Sequence, residues 1–474
     1  LPVEVQQLLA AFGVNQIASA NVSESLALPV TTAPVATLAP AANTAPVATT
    51  AAGGTAGGDT WTIMLYQDAD DQVLERDIHV DLNEAERAQQ SPNVRVIAQI
   101  DRYRGGYNGD GNITNAKRYL VQHDEDLNSV GSQELMDIGE PNMADPQTLV
   151  DFVVWAMQNF PADKYALIMS DHGMGWPGGF TDPTAPRSAV QGNPLSQAMG
   201  DILYLNEIDA ALGAIRQQTG LDKFELVGFD ACLMSHIEVF AALEPHARYA
   251  VASQETEPAV GWAYASFLNE LAANPSMTGG ELGNAIVNTY IVGDQRILDP
   301  NARAEFARGS AQQVAQQLYR GVTLTTADLS QYPAFNQAFN NYVNTLQGID
   351  QKVVAQARAY AQSFTSVFGS NVPPSYIDIG HFMLLTAQQS RNETVINAAR
   401  GVAEALQSLV IAEMHGQDKP SSTGLSIYFP NSQLIRSSAG LQYYGAVADR
   451  FVQQSLWDDF LYFHYTGNTF TAQQ

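Results

Sequence analysis

The sequence predicts an α/β fold with a mostly parallel central sheet and helices on both faces. Two observations support this: short apolar runs typical of buried strands recur along the chain, and amphipathic helical segments lie between several of them. Parallel strands need long, usually helical crossovers, so this alternation favours parallel pairing. In such sheets, active sites gather beyond the carboxyl ends of the strands.

The first half of the chain carries most of the strand signals. Five buried strands are predicted, at residues 61–65, 94–100, 165–169, 224–229 and 249–252. The segments "DPQTLVDFVVWAMQNF" and "LNEIDAALGAIRQQTG" have apolar residues at helical spacing, and the second ends at a glycine. The second half is rich in helices from about 279 to 389, then returns one strand, "GLSIYFP", and ends in the helical segment "SLWDDFLYFHY".

The same signals divide the chain into four parts. An amphipathic helical segment is predicted at 1–20. An Ala/Pro/Thr/Gly-rich linker follows at 21–59, because its composition cannot bury enough apolar surface to fold. The α/β core is predicted at 60–275, and a helical C-terminal region at 276–474 returns a strand, 424–430, to that core.

Composition excludes several classes of protein. With 474 residues, 45% of them hydrophobic, the chain can bury a large core. Its 49 acidic and 23 basic residues give a formal charge of −26, which disfavours nucleic acid and anionic lipid and favours basic ligands. No apolar run reaches the roughly 18 residues of a membrane span. A single cysteine excludes an internal disulfide.

That cysteine lies where chemistry is expected. The segment "ALIMSDHGMGW" places His172 and Gly173 just past one strand, and "ELVGFDACLMS" places Cys232 just past a later one. A free cysteine is more often a buried apolar filler. A histidine at the neighbouring strand end, however, can exchange a proton with the thiol and activate it as a nucleophile. The N–H groups of Gly173 and Cys232 are candidates for stabilising an oxyanion.

These segments resemble the clostripain-like cysteine peptidases, relatives of gingipains, legumains and caspases. The likeness runs from about residue 60 to about 465 and includes "MLYQDADDQVLE", "SQETEPAVGWAY", "YIDIGHFMLL" and "GLSIYFP". It implies a caspase-like α/β sandwich, with Cys232 as nucleophile and His172 as general acid and base. It also implies a secreted or cell-surface bacterial enzyme that processes itself.

The resemblance further implies cleavage of protein or peptide substrates after Arg, or also Lys, with Asp230 as the acid of the specificity pocket. Alternation along a strand puts Asp230 and Cys232 on one side; capping of the following helix is the alternative role for Asp230. The next loop supplies further candidate substrate-binding residues, Glu255, Thr256 and Glu257, although Thr256 also suits a simple turn. Relatives carry additional acids where this chain has Ala259, Val260 and Ala263, so a pocket for non-basic side chains is an alternative.

No cofactor is required by the sequence, and calcium is the one candidate. The loop after the first strand contains Asp68, Asp70 and Asp71, and the family often uses calcium, but the spacing lacks a full EF-hand loop. A solvated loop at a strand end is the alternative. A different class of function also fits the chain: a non-catalytic surface-binding protein carried on the Ala/Pro/Thr stalk.

The sequence makes one prediction about maturation. Between His172 and Cys232 the basic residues are Arg187, Arg216 and Lys223, and Arg187 lies in the Gly/Pro-rich segment "GGFTDPTAPRSAVQGNP". If the chain cleaves itself, we expect the cut after Arg187, with the Lys- and Arg-free linker left intact. The alternative is that this segment is only a long connection and the enzyme works as one chain. Mass spectrometry of incubated protein beside Cys232→Ala tests this. A cut that persists in the variant, or an uncut and fully active protein, contradicts it.

Overall fold

The structure is a computed structural model that describes residues 58–183, 201–367, 373–436 and 440–470. The segment predicted at 1–20, nearly all of the predicted linker at 21–59, and Arg187 lie outside the described residues. The caspase-like core can be followed along most of its length.

Strands and helices alternate through the first half, as expected. The strands are β1 (Trp61–Ala69), β2 (Val94–Arg102), β3 (Ala116–Leu120), β4 (Gln133–Gly139), β5 (Lys164–Ser170), β6 (Gly178–Thr181), β7 (Ile202–Tyr204), β8 (Phe224–Asp230), β9 (Ala247–Ala252), β10 (Thr323–Asp328), β11 (Tyr376–Asp378), β12 (Val410–His415) and β13 (Ser426–Tyr428). The helices are α1 (Glu75–Glu86), α2 (Pro146–Asn159), α3 (Leu205–Thr219), α4 (Ile237–Leu243), α5 (Tyr264–Ala273), α6 (Gly279–Thr289), α7 (Gln295–Leu298), α8 (Pro300–Phe306), α9 (Ala311–Tyr319), α10 (Tyr332–Thr345), α11 (Gln351–Tyr360), α12 (Ile379–Ser390), α13 (Glu393–Leu409), α14 (Ser432–Arg436), α15 (Gly440–Val447), α16 (Asp449–Gln454) and α17 (Trp457–Thr466).

The central sheet confirms the predicted fold class. Within the described residues it has nine strands in the order β12-β10-β9-β8-β5-β1-β2-β3-β4. The inner strands β9, β8, β5, β1 and β2 pair in parallel. Antiparallel strands extend both sides, β10 and β12 on one and β3 and β4 on the other.

Both faces of this sheet are buried, which explains the nearly continuous apolar runs of its inner strands. In β1, Met64 and Tyr66 face one apolar cluster, while Ile63 and Leu65 face another. Helices α2, α3 and α4 cover the first face, and α1, α5 and α6 cover the second. Among the described helices, none combines the length and apolar character needed to cross a bilayer.

The C-terminal region contributes strands in two places. The predicted strand at 424–430 is β13, which pairs with β11 in a separate two-stranded sheet and is bridged to the segment after β8 through Ser426 and His236. The strands that extend the central sheet are β10 and β12, which the sequence did not indicate. Strand β10 reads "TLTTAD", which lacks a long apolar run, and β12 continues directly from α13 without a turn signal.

A second small sheet follows β5. Strand β6 pairs with β7 in antiparallel fashion, with Gly178 opposite Tyr204 and Gly179 opposite Leu203. A bridge between Gly173 and Gly179 folds the loop after β5 back onto β6. The loop that carries His172 therefore turns back sharply, and its pairing with β6 fixes its conformation.

Candidate active site

The loops that carry His172 and Cys232 contact each other. Strands β5 and β8 are parallel neighbours with Ser170 opposite Asp230, so the two residues follow strand ends at the same level. A Cβ placed on Gly173 would lie 2.1 Å from the carbonyl oxygen of Cys232. Only glycine permits this approach, because any side chain would overlap the backbone. The predicted convergence of the two strand ends is found in the structure.

Cys232 is half-buried and its thiol has a backbone partner. The amide of Glu257 donates to Cys232 Sγ at 3.3 Å. Burial raises the pKa of the Cys232 thiol, and the nearby carboxyl groups of Glu255 and Asp230 act in the same direction. The thiol therefore keeps its proton at neutral pH and needs a base to become a nucleophile.

The backbone directly after Cys232 is strained. Leu233 has a φ of +65°, a left-handed conformation that costs a non-glycine residue on the order of 1 kcal/mol or more. The surroundings hold it there: the Leu233 amide donates to the Glu255 carbonyl at 3.1 Å, and the Ser235 amide donates to the Ser253 carbonyl at 2.7 Å. Such strain concentrates at functional sites, and here it shapes the turn that presents Cys232.

His172 is bound by an acid from a third strand end. Its Nε2 lies 3.4 Å from Oδ2 of Asp71, which follows β1. The Asp71 carboxylate is fixed in turn by the amides of Val73 and Leu74, at 2.7 and 2.8 Å. The hydrogen bond to Asp71 raises the pKa of His172, since a carboxylate favours the imidazolium form.

The return after His172 is braced on both sides. The amide of Phe180 donates to the His172 carbonyl at 2.9 Å, and the amide of Met174 donates to the Gly178 carbonyl at 2.9 Å. From the C-terminal region, the hydroxyl of Tyr376 donates to the Met174 carbonyl at 2.5 Å. The position of His172 thus depends on both halves of the chain.

Asp230 lies buried behind Cys232. Its Oδ2 accepts hydrogen bonds from the Tyr264 hydroxyl at 2.8 Å and from the Trp262 amide at 3.2 Å. Burial raises the pKa of Asp230. The alternative role as a helix cap is wrong, because the residue in the N-cap position of α4 is His236. Gly228, two residues earlier, makes room for Trp262, whose ring would lie 2.7 Å from a Cβ there.

Glu257 forms a second acid beside Asp230. The indole Nε1 of Trp262 donates to Glu257 Oε2 at 3.1 Å. Burial, followed by the proximity of Asp230, raises the pKa of Glu257 well above its usual range. Two buried carboxyl groups at close range cannot both ionise readily, so each opposes the ionisation of the other, and the pKa of Glu257 is raised the more strongly.

The other two candidates in this loop have different surroundings. Glu255 is buried, and its carboxylate pairs with Lys419 and accepts from the amide of Thr365 at 3.2 Å. It therefore ties the loop to two C-terminal segments. Thr256 is exposed, and its own amide donates to Glu255 Oε1 at 2.8 Å.

The three acids lie at the end of β1, with Asp68 inside the strand and Asp70 and Asp71 directly after it, and two of them are buried rather than solvated. Asp68 and Asp70 are both 0% exposed, so the expectation of a solvated strand-end loop is wrong. Burial, followed by the neighbouring Asp171, raises the pKa of Asp68 well above its usual range. Asp71 is already engaged by His172, and in the described parts of the chain no three His, Cys, Asp or Glu residues are placed to hold a metal ion. These residues do not fit a calcium site as arranged, and calcium dependence stays an untested prediction.

Sequence reasoning placed Asp71 with a metal and missed its contact with His172. The available signal was the one that found His172 and Cys232, because Asp71 follows β1, the parallel neighbour of β5. No sequence pattern indicated the roles of Trp262 and Tyr264. Their contacts with Asp230 depend on the return path of a loop, which apolar periodicity does not encode.

Residues 65–463 match the model of the clostripain family. The clostripain of Hathewaya histolytica is 32% identical to this chain over 200 residues, which are 39% of this chain and 36% of that protein. The matched part of this curated relative is thus little more than a third of its length.

Two solved structures share the fold. A secreted C11 cysteine protease from Bacteroides thetaiotaomicron, in complex with an irreversible peptide inhibitor, has a TM-score of 0.57 and 20% identity, covering 84% of this chain and 99% of that one. An inactive zymogen C11 protease from Parabacteroides distasonis has a TM-score of 0.58 and 15% identity, covering 85% and 99%. At these identities the likeness concerns the fold.

The contact between Asp71 and His172 predicts a shift in pH dependence. Because Asp71 raises the pKa of His172, Asp71→Asn should lower it, and the acid limb of kcat/KM should move to lower pH. Loss of the orienting bond should also reduce kcat by about tenfold to a hundredfold. The pH profiles of both proteins on one peptide substrate measure these effects.

A matched control is Glu413→Gln. Glu413 hydrogen-bonds to Nδ1 of His415 at 2.9 Å and raises the pKa of that histidine in the same way, but neither residue belongs to the site. We expect its pH profile to match that of the unmodified protein. If the pH profile of kcat/KM is not shifted in Asp71→Asn, then the acid limb does not report a His172 pKa that depends on Asp71.

Proposed function

The chain belongs to the clostripain family of cysteine peptidases, and we propose that it hydrolyses peptide bonds with Cys232 as nucleophile and His172 as general acid and base. The observation that carries the proposal is the contact of the two loops, in which Gly173 packs against the Cys232 carbonyl at the ends of β5 and β8. A thiol and an imidazole at adjacent strand ends are the groups that acyl transfer requires.

The tautomer of His172 follows from its partner. With Nε2–H donating to Asp71, Nδ1 is the unprotonated nitrogen that accepts the thiol proton. The Cys232 thiolate then attacks the substrate carbonyl and forms a C–S bond; the peptide C–N bond breaks as Nδ1–H delivers its proton to the leaving amine, which leaves a thioester. Water, activated by the same imidazole, hydrolyses the thioester and regenerates the thiol.

Two amides are proposed to stabilise the oxyanion. The N–H groups of Gly173 and Cys232 are candidates because both belong to the loops that meet at the site. The strained turn at Leu233 supports this role, since it holds the backbone around Cys232 in one conformation before substrate arrives. Preorganised donors lose no energy to reorganisation during the reaction.

We propose that the enzyme prefers Arg, and secondarily Lys, before the cleaved bond. Asp230 supports this preference because it is a buried carboxyl behind the nucleophile, held by Tyr264 and Trp262. A guanidinium would bind it in a charge-assisted pair and offset the repulsion between the carboxyl groups of Asp230 and Glu257. Clostripain, the curated relative, supports the same class of activity. We further propose secretion, because the Bacteroides relative is described as secreted.

One observation favours a second candidate, a pocket for neutral side chains. Burial raises the pKa of both Asp230 and Glu257, so the pocket holds less negative charge than two free carboxylates would. Ala259 and Val260 add no charge to the same loop. A cleavage profile on a peptide library distinguishes the two candidates directly.

The nucleophile is tested by Cys232→Ala and His172→Ala. Because this chain contains no second thiol, Cys232→Ala should lower kcat/KM by about 10⁴-fold or more, and His172→Ala by nearly as much. Unchanged thermal unfolding confirms that the fold is intact. Substantial turnover by purified Cys232→Ala would refute the mechanism, and an inactive natural chain that resists a thiol-directed peptide probe would favour a binding protein.

The pocket is tested by Asp230→Asn, which keeps the shape and removes the charge. We expect kcat/KM for an Arg substrate to fall about a hundredfold, equivalent to a charge-assisted pair of about 3 kcal/mol, while a neutral substrate changes little. Asp222→Asn is the control, since Asp222 is exposed and lies before the opposite end of the same strand. Equal falls in kcat/KM for Arg and neutral substrates would show that Asp230 does not recognise the basic side chain.

A further inference from the structure

We propose that Arg296 is a positioning residue that determines specificity. It fixes the loop at residues 257–262, called the specificity loop below, against Asp230. The inference rests on the proposed role of Asp230 as the acid that recognises a basic side chain. Arg296 lies outside the loops that carry Cys232, His172 and Asp230, in a later part of the chain.

Arg296 is a fully buried cation in α7. Its side chain is 1% exposed, and Nη2 lies 2.6 Å from Asp81 Oδ1 and 2.8 Å from Asp294 Oδ2. Its Nε donates to Asp294 Oδ1 at 3.1 Å. A buried arginine with this many acceptors is held in one geometry, and removing it would leave buried acids without their cation.

The same nitrogen reaches the specificity loop. Nη2 of Arg296 donates to the backbone carbonyl of Val260. Two residues later, the amide of Trp262 donates to Asp230, and the Trp262 indole donates to Glu257. Arg296 therefore anchors the middle of the loop whose later residues hold both acids of the proposed pocket.

Electrostatic interactions, like the hydrogen bonds, support the role of Arg296 in holding the specificity loop. Gly261 has a φ of +55°, and a Cβ there would lie 2.7 Å from Asp81 Oδ2 and 3.0 Å from Asp230 Oδ2. The carboxyl groups of Asp81 and Asp230 thus both lie close to the same point beside Gly261, and like charges so placed repel each other. Arg296 pairs directly with Asp81, and its charge favours the ionised form of Asp230. Without Arg296 we expect the loop to separate from α1 and Asp230 to lose part of its charge.

The experiment compares Arg296→Gln with the natural chain on two peptides that differ only in having Arg or norleucine before the cleaved bond. We expect the ratio of the two kcat/KM values to fall by about tenfold or more, through a higher KM for the Arg peptide. We expect kcat on the norleucine peptide to stay within about twofold, since Cys232 and His172 are untouched. Arg296→Lys should restore part of the ratio.

The matched control is Arg303→Gln. Arg303 lies in the next helix, α8, and donates to the carbonyls of Ile297 and Leu298 rather than to the specificity loop. It reports any general loosening of α7, and we expect the ratio to remain at its natural value.

A second variant reduces the charge imbalance that removing Arg296 alone would create. Arg296→Gln combined with Asp294→Asn deletes one buried charge of each sign, and it should show the same fall in the ratio. A folded single or double variant with the natural ratio would overturn the inference and leave the proposed function standing. A natural chain without any preference for the Arg peptide would instead overturn the proposed specificity, and the inference with it.

Discussion

The parallel pairing of β5 with β8 is the constraint on which the candidate site depends. It ends both strands at one level, so the segments after Ser170 and Asp230 start side by side. Gly173 then allows the two loops to touch, because a side chain there would overlap the Cys232 backbone. The third strand end, with Asp71 after β1, joins them by the same rule, since β1 is the other parallel neighbour of β5.

Around this centre, carboxyl groups are used for distinct purposes because their surroundings differ. Partial burial alone would raise the pKa of Asp71, but hydrogen bonds from His172 and from two backbone amides outweigh it and lower that pKa, whereas burial raises the pKa of Asp230 and Glu257. Glu255 pairs with Lys419 and serves the scaffold. An acidic chain of net charge −26 therefore does not present a uniform negative surface at the site; the environment of each acid decides its charge.

The sequence was sufficient for features that depend on local pattern. Apolar runs located the inner strands, and the rule about carboxyl ends of parallel strands located His172, Gly173 and Cys232, whereas Asp230 was implied by the family resemblance. Features set by distant contacts were out of reach. Strands β10 and β12 are recognisable only through their neighbours in the sheet, and the burial of Asp68 and Asp70 at the end of β1 depends on what packs over them.

The two-stranded sheet of β6 and β7 has a further consequence for the integrity of the chain. These strands stand on either side of residues 182–201 in sequence and are hydrogen-bonded to each other. A break anywhere between them would leave each new end attached to its partner, while β5 and β8 still pair within the large sheet. The two fragments would then co-elute as one species on size-exclusion chromatography and separate only in denaturant. A native molecular mass therefore does not distinguish a cleaved chain from a continuous one.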